Sequence, residues 1–140
     1  MKALTTAVIA AAVLFSSFTA AHVKPLKTLP GTIVGSWCFT EQDKSNVAFY
    51  SRGKCAADRN GIEVSADNYS GAHYSCIIHR VEPLDNGSTS KEAYFVRANC
   101  VNDETGASRY KDNSMFQLIG GQLIITPNFT KKDANWRAKP

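Results

Sequence analysis

Four cysteines, Cys38, Cys55, Cys76 and Cys100, stand behind an N-terminal stretch built for export, and together they constrain this 140-residue chain more than any other feature. Residues 1–21 run from Met1-Lys2 through an apolar run, Ala7 to Phe18, to the small residues Thr19, Ala20 and Ala21. That order of charge, apolar centre and small-residue cleavage site is the order of a secretory signal. The apolar run falls short of the ~20 residues a transmembrane helix needs. Cleavage after Ala21 sets Thr19 and Ala21 at the two small-residue sites and leaves His22 first. No later segment is apolar for long enough to span a bilayer, so the expectation is a soluble periplasmic or secreted protein. In those compartments thiols are oxidised, and four cysteines allow three pairings. Metal binding is the weaker use, because no C-x-x-C and no close Cys/His spacing is present.

Short β-type segments between turn residues follow the lead-in of residues 22–31, which holds Pro25 and Pro30. They are Thr32–Thr40, Val47–Ser51, Gly61–Ser65, His73–Glu82, Glu92–Val101, Ser114–Ile119 and Gln122–Thr126. The last two read Phe-Gln-Leu-Ile, Gly-Gly, Gln-Leu-Ile-Ile, the pattern of a two-residue hairpin at Gly120-Gly121. No segment beyond the leader keeps a 3.6-residue apolar period over three turns. The expected fold is therefore all-β, one domain over residues 32–130, built as a small antiparallel barrel or a sandwich with two disulfides.

Strand register narrows the pairing. A hairpin of His73–Glu82 with Glu92–Val101, turning between Asp85 and Thr89 and centred on Ser88, places Cys76 opposite Cys100. That register puts Tyr74, Ile78, Tyr94, Val96 and Ala98 on the cysteine face and Ser75, His79, Arg97 and Asn99 on the other, with His79 opposite Arg97. Ile77, Val81 and Phe95 break the alternation. The expected bridges are Cys76–Cys100 and, by remainder, Cys38–Cys55, each worth ~3 kcal/mol on the loop-entropy model.

Charge bears on partners. The whole chain carries a formal +4, yet without residues 1–21 it has 15 basic and 12 acidic residues. The tail from Lys131 to Pro140 holds Lys131, Lys132, Arg137 and Lys139 against Asp133, which leaves residues 22–130 neutral. A nucleic-acid binder needs a basic face backed by stacking aromatics, so none is expected here. The tail, with Trp136, is expected to be loose and able to touch an anionic surface weakly.

Gly35-Ser36-Trp37 is similar to the G-x-W that opens lipocalin-like barrels, and the resemblance implies a tryptophan packed across the barrel bottom. A wider set resembles a family of small bacterial secreted four-cysteine proteins that carries no assigned activity. It comprises Gly35-Ser36-Trp37-Cys38, Tyr50-Ser51-Arg52, Cys55, Ile62, Tyr69 ahead of Cys76, Cys100, and Leu118 with Leu123-Ile124-Ile125. Ser70-Gly71-Ala72-His73-Tyr74 looks like the S-G-x-x-Y loop of periplasmic inhibitors of c-type lysozyme, small disulfide-bonded β-barrels. In those proteins the Ser and Tyr engage the catalytic carboxylates of lysozyme, and the resemblance implies that role for Ser70 and Tyr74. The lysine that completes the inhibitor pattern is not identifiable here.

Nothing nominates a catalytic site. Ser70 and His73 are close in sequence but lack a nucleophile elbow and an orienting carboxylate. No phosphate loop, dinucleotide fingerprint or calcium-loop spacing occurs, and no metal or cofactor is expected. The expected role is binding without catalysis, by a monomer, of a protein or a small ligand. Ser70, His73, Tyr74, Tyr69 and Tyr50 are the candidate contact residues, and inhibition of a hydrolase such as lysozyme is the alternative.

Overall fold

The computed structural model describes residues 26–56, 60–85, 92–104, 109–130 and 137–138. The leader, residues 22–25 of the lead-in, the tip of the Ser88-centred hairpin and most of the tail lie outside the described residues. Among the described residues there are nine strands: β1 Gly35–Gln42, β2 Ala48–Arg52, β3 Gly61–Val64, β4 Asn68–Ser70, β5 Tyr74–Asp85, β6 Glu92–Asn102, β7 Arg109–Ile119, β8 Gln122–Thr126 and β9 Arg137–Ala138. The first eight close into an antiparallel barrel in the order β4-β3-β1-β2-β8-β7-β6-β5, and a β4–β5 pairing seals the ring. Of the two expected all-β architectures, the barrel is the one formed. From β3 to β8 the chain is a simple meander; the β1–β2 hairpin is inserted between β8 and β3, so the chain crosses β1 on its way from β2 to β3.

Both disulfides, Cys76–Cys100 and Cys38–Cys55, are formed, and Cys76 faces Cys100 across the β5–β6 ladder. Gly120 and Gly121 both have positive φ, as a type I′ turn requires, and Ile119 pairs with Gln122 around them.

Several expectations shift. The β5–β6 register holds from Tyr74 to Ile78 and then slips by one residue: Arg80, not His79, lies opposite Arg97. His79 is a bulge residue, and the bulge accounts for Val81 by turning it inward against Val96, while Ile77, ahead of the bulge, stays outward and exposed. Phe95 points out of the barrel, where it joins Leu84, Ala93, Met115 and Phe129 in a second cluster. That cluster is covered by the chain after β8, with Phe129 N–H bonded to the Asn113 carbonyl. The first strand starts at Gly35, because the Ile33 and Val34 amides turn back onto the Pro30 carbonyl. β7 begins five residues ahead of the expected Ser114, at Arg109, and β4 was not expected. In the tail, Arg137–Ala138 pair with Leu84–Asp85.

The barrel core lies between one blocked end and one open end. Ile33 and Trp37 fill the end at the start of β1, where Trp37 is 1% exposed and its indole N–H donates to the Ile33 carbonyl at 2.8 Å. The Arg52 guanidinium lies 4.3 Å from the Trp37 ring centre and donates to the Thr32 and Val34 carbonyls. Trp37 is thus buried at the end of the barrel where β1 starts. The opposite end carries the β1–β2 turn, the β4–β5 turn, the end of β6, the start of β7 and the end of β8. Among the described residues no helix is long and apolar enough to cross a membrane.

Candidate functional site

Strand alternation brings tyrosines to the open end. In β7 the inward file runs Tyr110, Asp112, Ser114, Phe116: Tyr110 at the rim is 45% exposed, Asp112 is half-buried, and Ser114 and Phe116 are buried. Tyr50 enters from β2, Tyr69 from β4 and Tyr74 from the start of β5. Together with Asp112, Ile125 and Pro127 these rings line a cavity of about 320 Å³, at the lower end of small-ligand pockets. A second hollow of about 260 Å³ shares Tyr50 and Tyr74 and is bordered by Phe39 and His73, so those two tyrosines partition the mouth.

The mouth is tied together. The Tyr69 hydroxyl donates to Asp112 Oδ2, and Ser114 Oγ donates to the same carboxylate at 2.8 and 3.0 Å. Tyr69 meets Tyr74 edge-to-face at 6.3 Å and Phe116 at 5.2 Å, and Tyr50 meets Phe39 in the same way at 5.8 Å. Burial raises the phenol pKa of Tyr50, Tyr69 and Tyr74 above its ordinary value; at Tyr69 the Asp112 charge and hydrogen bond add to burial. The rings are therefore neutral phenols through the physiological range.

Three of the five candidate contact residues, Tyr50, Tyr69 and Tyr74, meet in this mouth. His73 sits on its rim and pairs with Glu104 at 2.8 Å, both side chains exposed. Ser70 does not join them. Paired with Glu63 and Ser75 at the end of β4, it lines an outer crevice with Ser36 and Cys55. No hydrogen bond joins Ser70 to His73 among the described residues. The S-G-x-x-Y segment forms the β4–β5 turn, closed by the Gly71 amide donating to the Tyr74 carbonyl at 3.0 Å, and Ser70 and Tyr74 serve different hollows.

Sequence reasoning missed Tyr110 and Asp112, because Arg109-Tyr110-Lys111-Asp112-Asn113 is too polar to read as a strand. The usable signal was the even spacing of Tyr110, Asp112, Ser114 and Phe116. A further hollow, about 790 Å³, lies outside the barrel beneath the chain after β8, with His79, Arg97 and Lys111 on its walls. Among the described residues no three of His, Cys, Asp and Glu gather as a metal would need.

Fold and site together define a disulfide-bonded antiparallel eight-stranded barrel with one plugged end and one tyrosine-lined mouth. Comparison with family models, with curated proteins and with solved structures finds no match.

Proposed function

We propose that this chain is an exported binding module without catalytic activity, and that its ligand seat is the mouth bounded by Tyr50, Tyr69, Tyr74 and Tyr110. The observation that carries this reading is the convergence of those four tyrosines, from four separate strands, on a cavity of about 320 Å³ opposite the end that Trp37 closes. Rings held by a rigid barrel lose little entropy when a ligand arrives, so the seat is preorganised. Two disulfides in a chain of this length support an oxidising compartment.

The test is a small-fragment screen on the mature, oxidised protein, read by amide chemical shifts. Binders are expected to move residues 50, 69, 74 and 110–114 and to be lost in Tyr74→Ala. Shifts confined to the outer hollow around Arg97, or to the crevice around Ser70, overturn the reading. So does inhibition of c-type lysozyme at equimolar protein, which would transfer the function to the Ser70–Tyr74 turn.

A further inference from the structure

We infer that the mouth selects an organic cation, an ammonium head carrying alkyl groups, over a neutral molecule of the same shape. This rests on the mouth being the ligand seat and adds the chemistry of its occupant.

The Asp112 carboxylate lines the mouth. It lies in the inward file of β7, half-buried, and among the described residues accepts hydrogen bonds from the neutral hydroxyls of Tyr69 and Ser114. Among the described residues no cation pairs with it. A carboxylate drawn out of water without a counter-charge is costly, and two neutral donors offset only part of that cost. Its neighbour Lys111 also borders the cavity, but it pairs with Asn99 on the outward side of the ladder, is exposed, and makes no ion pair with Asp112 among the described residues. The alternation of one strand thus sends the anion inward and the cation outward.

The walls match an alkylated cation better than a hydrated one. The face of a phenol ring carries negative quadrupole density, and ammonium groups bind over such faces. Tyr50, Tyr69, Tyr74 and Tyr110 line the same cavity as the carboxylate, and Ile125 and Pro127 add apolar wall beside Asn46 and Asn128. A primary ammonium needs acceptors for three N–H groups. The carboxylate has about four lone-pair sites and already accepts from two hydroxyls, so by itself it cannot satisfy three more N–H groups, whereas methylated nitrogen needs only contact and charge.

The test uses choline and its neutral carbon isostere, 3,3-dimethylbutan-1-ol, with the mature oxidised chain, by calorimetry and amide shifts. Choline is expected to bind at least about tenfold more tightly than the isostere. Asp112→Asn, which keeps an acceptor for Tyr69, should lose about tenfold for choline and nothing for the isostere. Tyr74→Phe should keep choline binding and Tyr74→Leu should lose it, with cooperative urea unfolding and the amide shifts of strands away from the mouth retained in every variant. Equal binding of the two probes, both weakened by Tyr74→Leu, overturns the cation and leaves the seat standing. No response to either probe up to about 10 mM, with fragments failing at the mouth as well, overturns both.

Discussion

Arg80 stands directly opposite Arg97 across the β5–β6 ladder, because His79 is looped out between Ile78 and Arg80. Like charges facing each other across two strands are destabilising. Here each has a local offset: Arg80 Nε lies 2.6 Å from Glu82 Oε1, and the Arg97 guanidinium lies 5.1 Å from the Phe95 ring centre. In return, Ile78 and Val81 both point inward although they are three residues apart, and Val81 packs at 0% exposure with Val96.

Deleting His79 should therefore be tolerated. Removing the extra residue leaves Arg80 opposite Arg97 and Val81 opposite Val96, so no side chain changes face. The expected loss is about 1–2 kcal/mol in urea unfolding, from altered strand curvature, with both disulfides formed. Deleting Val96 from the partner strand should prevent folding, since every later residue of β6 would flip. A His79 deletion that fails to fold would mean that the bulge supplies the bend on which barrel closure depends.

The two disulfides should open in order. Cys76 and Cys100 are buried in the core, whereas Cys55 is half-exposed beside the outer crevice. Thiol–disulfide exchange needs access of the attacking thiolate to a sulfur. Graded dithiothreitol, followed by alkylation and peptide mass mapping, should label Cys38 and Cys55 first. Each bridge closes a loop of similar length, so loss of either should cost about 3 kcal/mol by chain entropy, and loss of Cys76–Cys100 more through core packing. Simultaneous labelling of all four cysteines would show that reduction proceeds through global unfolding.

What was legible in the sequence was what lies close along the chain or is pinned by chemistry. Gly120-Gly121 names its own turn, and Cys76 and Cys100 sit at equal distances from Ser88. The bulge at His79 is hidden because a single extra residue looks like noise in the alternation, and Val81 misfits any regular register. The three-residue strand β4 is too short to carry a pattern, and its role comes from closing the ring between β3 and β5. The mouth was half legible. Tyr50, Tyr69 and Tyr74 stood out as aromatics, but Asp112 belongs to the site only because β7 extends through a polar stretch held by β6. Such pairings are set by the barrel as a whole, as is the insertion of β1–β2 between β8 and β3.

Alkaline pH should destabilise the protein through its tyrosines. All five, Tyr50, Tyr69, Tyr74, Tyr94 and Tyr110, have phenol pKa values raised above the ordinary 10.0, burial being the first cause at each. Below pH 10 both folded and unfolded phenols are protonated, so stability from this source is fully present. Above it the unfolded chain releases protons that the folded chain retains, and stability falls, by up to about 1.4 kcal/mol per pH unit for each strongly shifted tyrosine. Urea midpoints should be flat from pH 7 to 9 in this respect and fall above 10, with a shallower slope in Tyr69→Phe. Tyrosinate absorbance at 295 nm should rise together with unfolding. A smooth rise near pH 10 with the fold intact would contradict the burial of the mouth tyrosines.

Gly61→Ala should be among the most damaging single-methyl additions in the barrel. A Cβ at Gly61 would come within 2.4 Å of Cys55 Sγ and 2.6 Å of the Trp37 carbonyl oxygen. Gly61 pairs with Cys38 where β3 runs beside β1, so the backbone has little freedom to retreat. One of the two obstacles is a sulfur held by a disulfide, and the other is backbone of the strand that carries the plug residue Trp37. Overpacking of this kind costs about 1–3 kcal/mol and more where backbone must shift, so a loss of about 3 kcal/mol is expected by urea unfolding. In a Cys38→Ala, Cys55→Ala background the sulfur obstacle is gone and only the carbonyl remains. The cost of Gly61→Ala there should fall by about 1 kcal/mol, a coupling that a double-mutant cycle measures directly. Additive losses would place the strain on the Trp37 carbonyl alone.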